Sequence, residues 1–138
     1  MKQVHVAVAV ACLEQQFILL AKRPDHVHQG GLWEFPGGKV EQGEGVADAL
    51  VRELAEEVAL SASVAQMQPL LSIPFQYPDK HVLLDVHWLD VAMNDALLVH
   101  GAEGQEVRWV RVHELDQYAF PAANQPIIDA VYARLALR

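Results

Sequence analysis

Valines recur at every second position through "QVHVAVAVAC" (Val4, Val6, Val8, Val10), and a period of two is the mark of a β-strand. A strand is therefore expected over residues 3–12. "QFILLA", residues 16–21, predicts a second strand, reached through the short polar turn "EQQ". The next stretch, "KRPDHVHQGG", holds a proline and two glycines and is expected to be a loop. "VADALVRELAEEVA", residues 46–59, carries the clearest helical pattern. It is dense in Ala, Leu and Glu, and Ala47, Leu50, Val51, Leu54 and Val58 fall on one side. "HVLLDVHWLDVAM" and "QEVRWVRV" predict strands, while "MQPLLSIPFQY" predicts one strand, or two interrupted by prolines. "PAANQPIIDAVYARLALR" begins as a proline-bounded turn and ends as an amphipathic helix. No repeat or low-complexity linker interrupts this order. Strands and helices in this sequence predict a layered α+β structure.

Composition narrows the class. A chain of 138 residues that is 52% hydrophobic and 20% charged has the balance of one folded domain rather than a disordered segment. No apolar run approaches the ~20 residues that span a bilayer, and the alternation near the start suits a strand better than a signal peptide. Cys12 has no partner and reads as a small buried hydrophobe. A cytoplasmic location is expected. The net charge of -8 argues against a long nucleic-acid backbone as partner, because that contact needs clustered Lys and Arg. A small anion remains possible if cations mediate the contact.

Candidate chemistry sits in the first helix. Glu53, Glu56 and Glu57 stand at i, i+3 and i+4, so they share one face, at a repulsive cost of a few tenths of a kcal/mol per pair. A solvated acidic face is the plain reading. The alternative is a site for a hard divalent cation such as Mg²⁺, which takes oxygen ligands. Arg52 is placed to orient one of the carboxylates. Upstream, "EFPGGKVEQGE" breaks the backbone with glycines and adds more acids.

Gly38, Glu44, Arg52, Glu53, Leu54, Glu56, Glu57 and Leu60 fall in register with G-x₅-E-x₇-R-E-U-x-E-E-x-G-U, where U is aliphatic. On these residues the chain resembles the Nudix hydrolase family. "RPDHVHQGGLWEFPGGKVEQGE", "YPDKH", "EGQEVRWV" and "FPAANQPI" resemble its MutT-like branch and extend the likeness over essentially the whole chain. One position departs from the pattern: its last glycine is Ala59. A glycine after a helix commonly adopts a left-handed backbone, which costs a non-glycine residue roughly 1–2 kcal/mol.

The resemblance implies an α/β/α sandwich around a mixed β-sheet. It also implies hydrolysis of a nucleoside triphosphate with Mg²⁺, for which Mn²⁺ substitutes. The implied metal ligands are Glu53, Glu56 and Glu57, with a backbone carbonyl of Gly37 or Gly38 and Glu103 as a further candidate. Glu44 is expected to support the loop instead. Glu53 and Glu103 are both candidates for the general base, and Glu103 also reads as a plain surface acid. Arg23, His28 and the stretch Glu34, Phe35, Pro36 and Gly37 correspond to nucleotide-contacting positions, although His28 also reads as merely solvent-facing. Asn124 corresponds to the position that reads the base, and it also suits a helix N-cap. The implied reaction is 8-oxo-dGTP to 8-oxo-dGMP and pyrophosphate by a monomer. Alternatives are a relative acting on CTP or oxidised pyrimidine nucleotides, and a non-catalytic nucleotide sensor.

Overall fold

The computed structural model describes residues 2–27 and 30–135. Its centre is a pair of long strands. β1 (Lys2–Leu13) runs parallel to β6 (Lys80–Val91) along its full length, in register from Lys2 opposite Lys80 to Leu13 opposite Val91. β5 (Gln68–Tyr77) pairs antiparallel with β6 and forms one edge of the sheet. β2 (Phe17–Lys22) returns from β1 through a hairpin whose turn residues Glu14 and Gln15 both have positive φ. β7 (Val107–Arg111) pairs along β2, and the two-residue β3 (Trp33–Glu34) pairs with its far end. β4 (Gly37–Lys39) pairs antiparallel with β1 at Val6, Ala7 and Val8. The sheet is mixed, as the family resemblance implies.

Both faces of β1 are buried, which the strand's alternation encodes in residue size. Val8, Val10 and Cys12 face a core with Ile18, Leu20, Trp88, Leu115, Ile127 and Val131, closed by the helix α3 (Gln125–Leu135). Ala7, Ala9 and Ala11 face the other way, where their small side chains admit the helix α1 (Val46–Val58) through Leu50, Leu54 and Val58. A helix on each face makes the α/β/α sandwich. Cys12 is 1% exposed, and burial first, then nearby Asp90, pushes its thiol up to about 11. The short helix α2 (Met93–Ala96) follows β6. No helix among the described residues is long and apolar enough to cross a membrane.

Four local expectations change. Residues 68–77 form one strand; its prolines are accommodated at the sheet edge, and its pairing slips between Pro69 and Leu71. Two short strands, β3 and β4, occupy a stretch whose glycines and proline hide any periodicity. In α1, Ala49 rather than Ala47 joins the buried stripe, and Val51 is only half-buried. The helix ends one residue early, because Ala59 turns left-handed at φ 56°, ψ 32°. Ala59 N–H and Leu60 N–H then both reach back to the Leu54 carbonyl, the latter at 3.1 Å, which satisfies a carbonyl that the helix end would otherwise orphan.

Candidate active site

The acidic end of the site is built where β4 crosses α1. A Cβ on Gly37 would run into the Ala7 carbonyl of β1, and a Cβ on Gly38 would run into the Glu53 carboxylate. Gly37 therefore needs glycine for space, since the clash is with backbone, and at Gly38 the Glu53 side chain lies directly against the β4 backbone. Pro36 carries its carbonyl into the sheet, where Ala9 N–H donates to it at 2.8 Å.

Arg52 organises the loop between β4 and α1. Its Nε and Nη2 donate to the two oxygens of Glu44 at 2.9 Å each, its Nη1 donates to Glu53 Oε1 at 2.7 Å, and its Nη2 also reaches the Lys39 carbonyl at 3.1 Å. A planar fork can hold two carboxylates and a carbonyl at once, which an ammonium cannot do with the same geometry. The hydrogen bonds from Arg52, and then the one from Glu41 N–H, hold the Glu44 carboxyl down at about 2. Both Glu44 oxygens are thus engaged within the loop. Glu56 points outward; its side chain is 57% exposed and lies 3.6 Å from Arg52 Nη1.

Glu57 has the opposite environment. Burial first, then a hydrogen bond with Glu53, then the charges of Glu53, Glu34 and Glu103, push its carboxyl up to about 9. Three other acids thus act on Glu57, at the end of α1. Glu103 belongs to a loop docked on that helix end: His100 N–H donates to the Val58 carbonyl at 3.1 Å, and Ala102 N–H and Gln105 Nε2 donate to the Glu57 carbonyl at 2.9 and 2.8 Å. The Glu103 side chain is exposed. Among the described residues no three Asp, Glu, His or Cys side chains form a finished metal cage.

A cavity of about 390 Å³ opens beside this acidic end. Gly37, Gly38, Arg23, Glu34 and Phe35 line one part of it, with Val6 of β1 at the floor. Arg23 Nη1 donates to Glu34 Oε1 at 2.8 Å; burial raises the Glu34 carboxyl and Arg23 opposes that shift. The facing wall is residues 121–124, ending on Asn124. Asn124 sits in a 3-10 turn (Ala122–Asn124) just before α3. Asn124 is half-buried and directly precedes the first residue of α3, and it lines the cavity. Pro36 is absent from the lining. Glu103 lines a separate hollow of about 320 Å³ with Arg23, Pro24, Asp25 and His26, so Arg23 borders both. His28 lies outside the described residues.

Phe75 and Tyr77 complete the cavity wall from β5; sequence reasoning did not single them out. Their two-residue spacing in "PFQY" was the available signal, since it puts both rings on one face of a strand.

The description "NUDIX domain" belongs to a family model that matches residues 7–130. The 8-oxo-dGTP diphosphatase of Escherichia coli (strain K12) is 34% identical over 128 residues, covering 93% of this chain and 95% of that protein. The CTP pyrophosphohydrolase of the same organism is 35% identical over 139 residues, covering 100% and 98%. Among solved structures, one from a structure and function study of MutT from Aliivibrio salmonicida and Vibrio cholerae superposes with a TM-score of 0.81 at 36% identity. It covers 96% of this chain and 99% of the other.

Proposed function

The chain belongs to the Nudix family and is a Nudix hydrolase, and from that premise we propose that it converts 8-oxo-dGTP to 8-oxo-dGMP and pyrophosphate, with Mg²⁺, as a single-domain, monomeric cytoplasmic enzyme spanning residues 1–138. The observation that carries the proposal is a cavity lined by Glu34, Gly37, Gly38 and Asn124. Glu53, Glu56 and Glu57 do not line it, but the Glu53 carboxylate lies against Gly38 and interacts with Glu57.

The donor set suits a hard divalent cation. Burial first, then the hydrogen bond with Glu53 and the charges of Glu53, Glu34 and Glu103, raise the Glu57 carboxyl far above the usual range, and hard oxygen donors in such a cluster match Mg²⁺, with Mn²⁺ as a substitute. Glu53, Glu57 and Glu56 would hold the ion with a backbone carbonyl of Gly37 or Gly38 and with Glu103 from its loop; Glu56 and Glu103 would have to turn inward to join. When bound, the ion supplies charge neutralisation of phosphoryl oxygens and activation of water. Arg52 fixes the orientation of Glu53, which suits Glu53 to accept the proton of the attacking water. That water adds to phosphorus, the anhydride P–O bond breaks, and pyrophosphate leaves. Arg23, from the loop after β2, would meet phosphate with its planar guanidinium, while Glu34 orients it and Phe35 supplies an apolar wall.

Base selection follows from hydrogen-bond polarity. Guanine shows two acceptors, O6 and N7, on one edge, and oxidation at C8 turns N7 into a donor. An Asn amide donates to O6 and accepts from N7–H at the same time, whereas with ordinary guanine its carbonyl would meet a lone pair. Sites built on such a hydrogen bond discriminate by ~10⁴–10⁵. The likeness to the CTP pyrophosphohydrolase over the whole chain supports a second reading, with a pyrimidine nucleotide in the same cavity.

The test is a panel of normal and oxidised nucleoside triphosphates with Mg²⁺ and detection of released pyrophosphate. The proposal expects 8-oxo-dGTP to be turned over far better than dGTP, and expects Asn124→Ala to abolish that preference while metal binding persists. A cytidine preference establishes the second reading, and no hydrolysis of any member refutes both.

A further inference from the structure

The wall that carries Asn124 belongs to a different element from the wall that carries Glu34 and Phe35, so some device must set the distance between them. Three contacts tie the two walls. Trp33 N–H donates to the Ala119 carbonyl at 2.8 Å. Phe35 stacks on Phe120 with ring centroids 5.3 Å apart and planes 18° apart. Trp33 meets Tyr118 edge-on at 5.2 Å.

Arg108, from β7, clamps the third of these. Its guanidinium carbon lies 5.0 Å from the Trp33 ring centroid and 6.0 Å from that of Tyr118, and its Nη1 donates to the Tyr118 hydroxyl at 3.3 Å. Glu106 holds the guanidinium from behind, through Nε at 2.8 Å and Nη2 at 2.7 Å. Every arm of the fork is thus committed to the two aromatic rings or to the acid that aims it. Arg108 does not line the cavity. A surface arginine paired only with Glu106 would need no aromatic partners, and an isolated exposed pair contributes little. Cation–π contact with two rings at once adds a restraint that depends on the planar group.

We propose that Arg108 is a positioning residue for nucleotide binding: by bridging Trp33 and Tyr118 it fixes the spacing of the Phe35 and Asn124 walls of the cavity. The proposal rests on the reading of that cavity as the nucleotide site. Arg108 touches neither substrate nor the carboxylates, so its loss acts on binding and leaves the chemical step alone.

The test compares native protein with Arg108→Ala, Arg108→Lys and Glu106→Gln. Kinetics are measured on whichever triphosphate of the panel the native enzyme turns over best, and amide hydrogen exchange is followed without substrate. For Arg108→Ala the expected result is a KM raised about five- to tenfold, the scale of two exposed cation–π contacts, with kcat within about twofold. The Trp33 amide, which donates across the walls, should exchange faster while the amides of β1 and β6 keep their protection. Arg108→Lys restores charge without the planar fork and should recover only part of the KM; Glu106→Gln should shift KM in the same direction by less. An unchanged KM, or a fall in kcat at constant KM, overturns the proposal. So does uniform loss of protection across the sheet, which marks a purely structural role. If the native protein hydrolyses no triphosphate, the functional reading fails, and unchanged exchange at Trp33 still overturns the clamp by itself.

Discussion

Replacing Ala59 with glycine should stabilise this protein, and the size of the gain follows from the backbone. Ala59 sits at φ 56°, ψ 32° at the end of α1, a conformation that costs an L-residue about 1–2 kcal/mol. Glycine removes that cost. It also regains unfolded-state freedom worth about 0.4–1 kcal/mol, which works against the folded state. Ala59 is half-buried, and deleting a methyl group in that setting loses a fraction of the ~0.8 kcal/mol of a fully buried one. The balance favours glycine by about 0.5 kcal/mol. A chain of 138 residues unfolds with an entropy of roughly 0.3 kcal/mol per kelvin, so the midpoint should rise by about 2 °C. Scanning calorimetry resolves that shift, and two further variants make the ordering decisive. Ala59→Asn, whose side chain tolerates the left-handed region, should match or exceed the native midpoint, and Ala59→Val should fall below it. A glycine variant no more stable than the native protein, or a valine variant equal to it, would refute the claim that this helix end demands a positive φ.

Two more predictions concern the carboxylates. Glu57 has an ordinary value of 4.5 and is raised to about 9 in the folded chain. Metal-free protein should therefore be most stable below pH 4.5 with respect to this group and lose stability as pH rises from there through 9, because the unfolded chain gives up the proton first. Denaturant unfolding across that range should show the loss, Glu57→Gln should flatten it, and saturating Mg²⁺ should offset it; a profile identical in native and Glu57→Gln proteins would refute the buried cluster. Arg52→Lys should lower turnover or Mg²⁺ affinity by about 10–100-fold, since an ammonium cannot reproduce the simultaneous bonds to Glu44, Glu53 and the Lys39 carbonyl. Full activity in that variant, measured by pyrophosphate release over a Mg²⁺ titration, would remove Arg52 from the positioning of Glu53.

How far the site can be read from sequence depends on which physical signals are local. The strands β1 and β6 announce themselves because alternation within one segment is a local signal, and so does α1. The carboxylate spacing in α1 is local too, since i, i+3 and i+4 on a helix need no knowledge of the rest of the chain. What spacing alone could not say is that the three glutamates have three different environments. Glu53 is aimed by Arg52, Glu57 is pressed against other acids, and Glu56 faces solvent. Those differences arise from β4 passing beneath the helix, and β4 is a three-residue strand whose pattern is hidden by glycines. The cavity wall is harder still. Trp33 lies far in sequence from Arg108, Tyr118 and Phe120, and none of the four carries chemistry that marks it as functional. Their relation exists only because β7 and β3 both pair with β2, which brings Arg108 and Trp33 within reach of one another. Catalytic groups are therefore legible as residue types at fixed spacing, whereas the contacts that set a pocket's width are legible only through topology. On the proposed reading, base preference would draw on that width as well as on Asn124 itself.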